Sequence, residues 1–435
     1  MGPTRSTADS TMSALNLTPA EQAMLDGADG SGTALAMRIV VRLAQAMDAL
    51  SLIPVSGAHI DSCLYHGKSG LDFVHRLVDG AAHVRVPTTL NVSSLDLLHP
   101  ELYVGDPAEA TAARELMDGY VSLGCEPTWT CAPYQRQDRP ARGADIAWAE
   151  SNAIVFANSV LGARTHRYGD FVDIAAAITG RVPNAGLHVQ RNRRATVIID
   201  VSELPTALLE ADVLYPCLGF VIGRRCSGQI PAIVGLTTSA TEDDLKALGA
   251  AAASSGSLAM FHAVGLTPEA PSLSDACQGV APSLTIKITA DDIRDARDQL
   301  SSTAEQPLAT VSVGTPHYSL AEIGRLYELL AGSMVASTVA FYVSTARETL
   351  HEAMLHGWIT PLRDAGVIFV TDTCTYITPI IRDTKGLGMT DSAKWAYYAP
   401  GNIGVEAIFG SVSECVRSAI AGRVIRNDWT WSDAS

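Results

Sequence analysis

From Ala309 onward the chain alternates short β-rich runs with segments that mark their own helix starts, and few folds accept that pattern. TVSVG (310–314) reads as a strand. Ser319-Leu320-Ala321-Glu322 then supplies a capping box, whose serine hydroxyl and glutamate carboxylate satisfy N–H groups that a helix start leaves open. TVAFYV is the next strand, and Thr345-Ala346-Arg347-Glu348 is expected to cap a helix ending near Gly357. VIFV and GVEAIFG read as further strands, and Ser411-Val412-Ser413-Glu414 caps a last helix. Such alternation builds βαβ units, so the fold class is α/β with mostly parallel sheets. ATVIIDV (195–201) and a helix over Thr241–Ser255 extend the same architecture upstream. Nearer the start, Thr18-Pro19-Ala20-Glu21 forms another capping box with Gly27 as the stop. A helix from about Gly32 to Leu50, the run LIPV and the polar loop SGAHIDSCLYHG follow.

A chain of 435 residues exceeds what one core supports, so several domains are expected. The divisions read as a disordered lead over 1–16, an α/β region over 17–235 with the Cys63 and Cys131 loops, a connecting α/β region over 236–308, and a C-terminal α/β domain over 309–435 with Cys374. In such sheets ligands bind beyond the carboxyl ends of the strands, near helix N-termini. Those ends read Gly314-Thr315-Pro316-His317, Ser344-Thr345, Asp372-Thr373-Cys374 and Gly410-Ser411. Cys374 therefore stands where chemistry is expected, although a strand-end cysteine that is simply buried fits the same pattern.

The net charge of −15 offers no basic field for phosphates, which argues against nucleic-acid and anionic-membrane partners. The one basic cluster, Arg191-Asn192-Arg193-Arg194, reads as a solvated loop. No apolar stretch reaches the roughly 18 residues of a membrane span, and the polar start MGPTRSTADSTMSALN lacks an apolar signal core. A cytoplasmic setting is expected, where eight cysteines serve as thiols or metal ligands rather than disulfides.

The motifs exclude more than they assign. There is no G-x-S-x-G elbow, no G-x-x-x-x-G-K-[ST] loop and no G-x-G-x-x-G after a strand, so hydrolase and nucleotide-binding readings lack support. Cys63 with His66, or Cys131 with any of eleven histidines, meets the minimum for a thiol nucleophile. C-x-x-C, the strong zinc signature, is absent. Cys125 and Cys131 lie in CEPTWTCAPYQ with five residues between them, and the other cysteines are scattered singly. Single cysteines on separate loops suit iron or an iron–sulfur cluster at an interdomain cleft, and equally suit no metal.

PTWTCAPYQ, DIAWAESNAIVFANSVLGARTHRYGD, VGTPHYSLAEI, VTDTCTYITPI, TDSAKWAYYAPG and VEAIFGSVSECV, in that order, resemble the large subunit of aconitase X, over residues 17–422. The resemblance implies aconitase-like three-layer α/β/α domains. It also implies a separate small swivelling subunit that completes the active site, with the swivelling domain absent from this chain. Members are hydro-lyases: one branch dehydrates mevalonate 5-phosphate, the other dehydrates cis-3-hydroxy-L-proline to Δ1-pyrroline-2-carboxylate. The loop SGAHIDSCLYHG resembles the second branch, and Thr315 stands where the archaeal-type pattern has a cysteine before Pro-His.

By that resemblance Cys131 and Cys374 are metal ligands, with Cys63 the candidate for the third and Cys217 the fallback. The implied cofactor is an iron–sulfur cluster, [2Fe–2S] favoured, or mononuclear iron. Cys125, Cys226, Cys277 and Cys415 are read as packing residues. The catalytic base is expected to be a serine of the small subunit, so this chain alone is expected to be inactive. Substrate-binding candidates are Lys394 with Ser392 beside it, Ser56 and His59, Thr88, Thr89 and Asn91 in PTTLN, and Ser255 and Ser257 around Gly256. His317 bonds to backbone or joins the site, and Arg164 and Arg167 clamp a ligand or pair with Glu150 or Asp170. The rival readings are a mevalonate 5-phosphate dehydratase, which needs an anion pocket at the cleft, and a non-catalytic metal-binding scaffold.

Overall fold

The computed structural model describes residues 15–282 and 284–427. Residues 1–14 of the expected lead lie outside the described residues, while the Asn16 N–H donates to Leu50 O at 2.9 Å. The local helix signals act as written. Thr18 and Glu21 exchange both capping-box bonds, and Gly27 ends that helix at φ 92°, a left-handed value that favours glycine. Thr241, Ser319 and Ser411 form capping boxes with Asp244, Glu322 and Glu414. Thr345 does not cap the next helix. It is the last residue of the strand Ala340–Thr345, and its hydroxyl donates to Tyr318 O at 2.8 Å, leaving Ala346 to open helix Arg347–Leu355 without a side-chain bond.

Three parallel sheets carry the molecule. The C-terminal sheet runs Val367–Val370, Ala340–Thr345, Leu308–Tyr318, Leu387–Thr390, Ala407–Phe409 across its width. Leu387–Thr390 is the strand its sequence hides: Leu387 is followed by Gly388, with no β-branched residue until Thr390. Glycine is needed at 388, because a Cβ there would stand 2.7 Å from the Trp395 ring. The middle sheet runs His262–Ala263, Pro231–Val234, Val197–Asp200, Thr285–Lys287, and the first runs Thr88–Leu90, Ala58–Ile60, Ala147–Trp148. An antiparallel pair, Leu52–Pro54 with Arg181–Pro183, closes the first region.

In every parallel sheet the first strand in sequence lies inside, and the chain winds outward from it in both directions. Each sheet thus has a switch point where neighbouring strands lead away to opposite sides, the place where α/β sheets leave a crevice. In the first sheet it lies between Ile60 and Trp148. In the third it lies between Leu308–Tyr318 and Leu387–Thr390.

The cores divide along the same lines, but one does not stay within its region. Met37, Leu77, Tyr120 and Cys63 belong to the first core, and Val311, Phe341 and Leu326 to the third. The core between them gathers Cys131 and Cys217, Leu248, and Cys374 with Trp395, from all three regions. Helices Leu214–Arg225 and Glu242–Gly256 pack so closely that a Cβ on Gly256 would stand 1.7 Å from Gly223 O.

The basic cluster is solvated only in part, with Arg191 and Asn192 exposed. Arg193 is 0% exposed and spends its guanidinium on Glu269 (2.5 and 2.9 Å), Asn158 and the carbonyls of Leu187 and Ala163. This staples the first region to the second. Removing one member of a buried pair strands the other, at about 3–5 kcal/mol. Arg193→Gln is therefore expected to lower unfolding stability by about that amount in denaturant titration, and Arg194→Gln to change it little.

Candidate metal centre and active-site cleft

The strand ends of the first sheet open into a cavity of about 490 Å³, which the third region closes from the other side. The first sheet contributes Asp61, Asn91 and Glu150 to its walls, and the third region contributes Tyr376, Thr378 and Lys394. Cys131 reaches this cavity from the PTWTC loop. A larger cavity of about 720 Å³ lies between the second and third regions, and Lys394 lines that one too.

Both cysteine loops bend in the same way. Trp129, two residues before Cys131, has φ 46°, and Asp372, two residues before Cys374, has φ 61°. Both are left-handed values that non-glycine residues rarely adopt. Asp372 is held there: Arg347 grips its carboxylate with two bonds of 2.5 and 2.6 Å, Leu97 N–H donates to it, and its carbonyl accepts from Ser93 N–H. Asp96 accepts from Thr371 N–H and its hydroxyl alongside.

The bends bring Cys131, His317 and Cys374 together, with one ligand atom of each lying within 4.8 Å of the others. Burial pushes the Cys131 thiol up, but the Cys374 S–H and the His317 ring more than offset it and bring it down to about 6. Cys374 moves the opposite way, its proton retained because it bonds to the Cys131 sulfur and because burial disfavours a second thiolate. The His317 backbone N–H also donates to Cys131 Sγ at 3.3 Å. The His317 ring is engaged on both sides, its Nδ1 with Thr130 Oγ1 and its Nε2 with Thr373 O, each at 3.1 Å. Two sulfurs sharing one proton beside an imidazole fit a soft or borderline metal, with the thiolates as the ready donors and histidine as a ligand only after exchanging a hydrogen bond.

A buried ion pair adjoins the thiols. Lys394 Nζ donates to Glu150 Oε1 at 2.5 Å. Burial alone would drive the Lys394 ammonium down; Glu150 overrides this and holds it well above the usual lysine range. Glu150 also caps helix Ser151–Phe156 through Ala153 N–H and accepts from Asn152, whose amide donates to Cys131 O at 3.0 Å. Across the cavity Asp173 accepts from the N–H groups of Asp61 and Ser62 at 2.7 and 3.0 Å, fixing the IDSC turn. Asp61 itself, pressed by burial and then by Glu150, is pushed up to about 8.

Three family models match in order: Aconitase X first domain over residues 14–191, second domain over 195–298 and third domain over 308–421. The chain belongs to the aconitase X family. It is 42% identical to a cis-3-hydroxy-L-proline dehydratase of Pseudomonas aeruginosa over 411 residues, covering 93% of this chain and 70% of that protein. It is 40% identical to the enzyme of the same name from Hypocrea jecorina, covering 94% and 69%. A phosphomevalonate dehydratase large subunit from Methanothermobacter thermautotrophicus is 35% identical, covering 91% and 97%. The solved holo-form of Thermococcus kodakaraensis aconitase X superposes with a TM-score of 0.84 at 30% identity, covering 93% of this chain and all of that one. This aconitase X chain is thus a member of a hydro-lyase family. No helix among its described residues is long and apolar enough to cross a membrane.

The expected site residues of this aconitase X separate into two groups. Cys131 and Cys374 meet, and Asn91 and Lys394 line the cavity beside them. Cys63 lies elsewhere, in the first core, where its thiol donates to Ile60 O at 3.4 Å and burial raises it further. Cys217 is buried inside helix Leu214–Arg225 with its thiol pushed up by burial. Cys125 is buried in the first core as well. Thr315 and Ser392 line the larger cavity, and Ser392 Oγ donates to Thr315 O.

Ser255 sits in a helix with its hydroxyl on Phe220 O and Ala251 O, and Ser257 ends that helix at φ 57°, so neither faces the cavity. Ser56 is exposed and donates to Asp145 O. His59 is fully buried, its Nδ1 on Thr89 Oγ1 at 2.8 Å, and burial lowers it to about 3; Thr88 donates to Val86 O. Arg164 bonds His188 O and Gln190, and Arg167 bonds Leu258 O, so Glu150 goes to Lys394 rather than to either arginine. Asp61, Glu150 and Asp173 are the residues sequence reasoning missed as site residues. The signal was available for two of them: Asp61 directly follows strand Ala58–Ile60, and Glu150 stands two residues after Ala147–Trp148.

Cys131→Ser and Cys374→Ser are expected to lose bound iron in metal analysis of anaerobically purified protein, whereas Cys63→Ser and Cys217→Ser retain it. For Asp61 the folded carboxyl, near 8, lies above the unfolded value of about 4, so folding favours the protonated form and the cost of ionising it grows from about pH 4 to pH 8. Asp61→Asn removes that cost. The variant is expected to melt above the wild type at pH 8 and level with it at pH 4.

Proposed function

We propose that this chain is the large subunit of an iron-dependent cis-3-hydroxy-L-proline dehydratase, releasing water and, after tautomerisation, Δ1-pyrroline-2-carboxylate. The observation that carries the reading is the charge balance of the 490 Å³ cavity, where one ammonium, Lys394, is already paired with Glu150 and Asp61 adds a further carboxyl. A zwitterionic amino acid suits such walls, and a phosphate dianion does not. The two relatives named for that reaction, at 42% and 40% identity, support it.

Cys131 and Cys374 would hold the metal, with His317 beside them. Iron or an iron–sulfur cluster there supplies a Lewis acid for the departing hydroxyl. Lys394 faces the substrate carboxylate, kept charged and fixed in place by Glu150. Asn152 and the His317 N–H hold the Cys131 loop, so the thiolate keeps its position as the hydroxyl leaves. The Cα proton goes to a base on a small partner subunit, a partner suggested by the large-subunit name of the archaeal relatives. We place the enzyme in the cytoplasm, where eight free buried thiols remain reduced.

The test is an anaerobic assay of the chain co-expressed with its small subunit, following loss of cis-3-hydroxy-L-proline. Turnover is expected, abolished by Cys131→Ala and absent from the large chain alone. Iron-loaded complex that ignores hydroxyproline but dehydrates mevalonate 5-phosphate would overturn the assignment. Iron and acid-labile sulfide measured together are expected to give equal amounts of each, as a [2Fe–2S] cluster requires; iron without sulfide would mean a mononuclear centre.

A further inference from the structure

We propose that Asp61 and Asn91 form a receptor for a protonated secondary amine, and that this pair sets the preference of the site for an amino acid over a phosphorylated substrate. The proposal rests on the dehydratase reading above and names the contact that reading lacks.

Both residues line the 490 Å³ cavity on the first-sheet side of the crevice, opposite Lys394. The Asn91 amide donates its Nδ2 hydrogen to Asp61 Oδ1. That bond fixes the amide orientation, and it leaves Asn91 Oδ1 without a partner although the residue is only 2% exposed. Among the described residues nothing donates to Asp61 Oδ2 either. Asn91 Oδ1 therefore stands buried at the cavity wall, beside the acid of Asp61, with no donor among the described residues. Buried polar groups are almost always paired, so such an exception asks for a ligand.

The backbone keeps the pair in place. Asp61 and Ser62 give their N–H groups to Asp173, Ser62 Oγ donates to the same carboxylate, and Tyr120 OH donates to Ser62. Asn91 N–H donates to Ile60 O across the two strand ends. Neither side chain is free to turn away in search of another partner.

A cyclic secondary ammonium carries two N–H donors and no acceptor, which matches the unpaired Asn91 Oδ1 and an acid that gives up its proton when a cation docks against it. Lys394 offers no substitute for the ligand, being committed to Glu150. A phosphate or a ring oxygen in the same place brings only acceptors and meets like with like. The pair thus reads a functional group that a hydroxyproline carries and a phosphorylated hydroxy acid lacks.

The experiment compares L-proline with tetrahydrofuran-2-carboxylate, which replaces the ring N–H₂⁺ by oxygen, as ligands of the metal-loaded two-subunit complex. Calorimetric binding to the wild type is expected to favour L-proline by about tenfold or more, the range in which a lost charged hydrogen bond falls. Asp61→Asn is expected to erase most of that preference by weakening L-proline alone, and to raise KM for cis-3-hydroxy-L-proline more than it lowers kcat. The wild-type comparison stands without any variant. Equal affinity for the two ligands, or undiminished L-proline affinity in Asp61→Asn, would overturn the receptor while hydroxyproline turnover leaves the dehydratase reading intact. A wild type that binds neither ligand and turns over mevalonate 5-phosphate would remove both.

Discussion

The ion pair between Glu150 and Lys394 is the contact on which the rest of the site depends. Glu150 sits at the switch point of the first sheet and Lys394 in the first turn of helix Ala393–Ile403, 244 residues away in sequence. Glu150 caps the helix that carries Asn152, and Asn152 holds the carbonyl of Cys131. On the other side, Ser392 caps the lysine's helix and bonds the carbonyl just before Pro316-His317. One carboxylate and one ammonium thereby fix the thiol loop, the histidine strand and the wall between two cavities. Buried pairs contribute little net stability, because desolvation offsets their attraction, yet losing one partner costs about 3–5 kcal/mol. A pair of that kind fits a role in positioning better than one in stability.

Backbone strain is concentrated at the same place. Trp129 and Asp372 each adopt left-handed conformations costing about 1–3 kcal/mol, and each precedes its cysteine by two residues. At Asp372 the strain is held by Arg347 within its own region and by contacts that cross to the first: Leu97 and Ser93 on Asp372, and Thr371 on Asp96. Docking the first region on the third and bringing Cys374 towards Cys131 are thus one event. Cys131 and Cys374 would be the residues to hold a metal at a joint the protein has already made.

The cavity shows how charge is distributed for a purpose that stability does not require. Asp61 is left as a carboxyl with an unused oxygen, in surroundings that favour its neutral form. Elsewhere in the molecule buried charge is matched, as at Arg193 with Glu269 or Lys246 with Asp243 and Glu322. The contrast places the unmatched acid in the crevice, beside the thiols, and nowhere among those structural pairs.

Sequence by itself determined most of what depends on neighbours three or four residues apart. The capping boxes at Thr18, Thr241, Ser319 and Ser411 are local bonds and follow from their residues, whereas at Thr345 the same pattern lost to a strand that claimed the threonine. The alternation of strands and helices gave parallel sheets, and the strand-end rule drew attention to Cys374 and to Thr315–His317, because side-chain period and chain direction are intrinsic to a strand. Family resemblance added Cys131. Tertiary structure decided which of eight chemically identical thiols meet. Cys63 satisfies its S–H on a carbonyl three residues back, while Cys131 finds its partner 243 residues on. It also decided that Arg193 is interior, that Glu150 pairs with a lysine rather than an arginine, and that Asp61 faces a cavity. Each is a long-range placement, fixed by how the three regions pack on one another, and no local spacing encodes that.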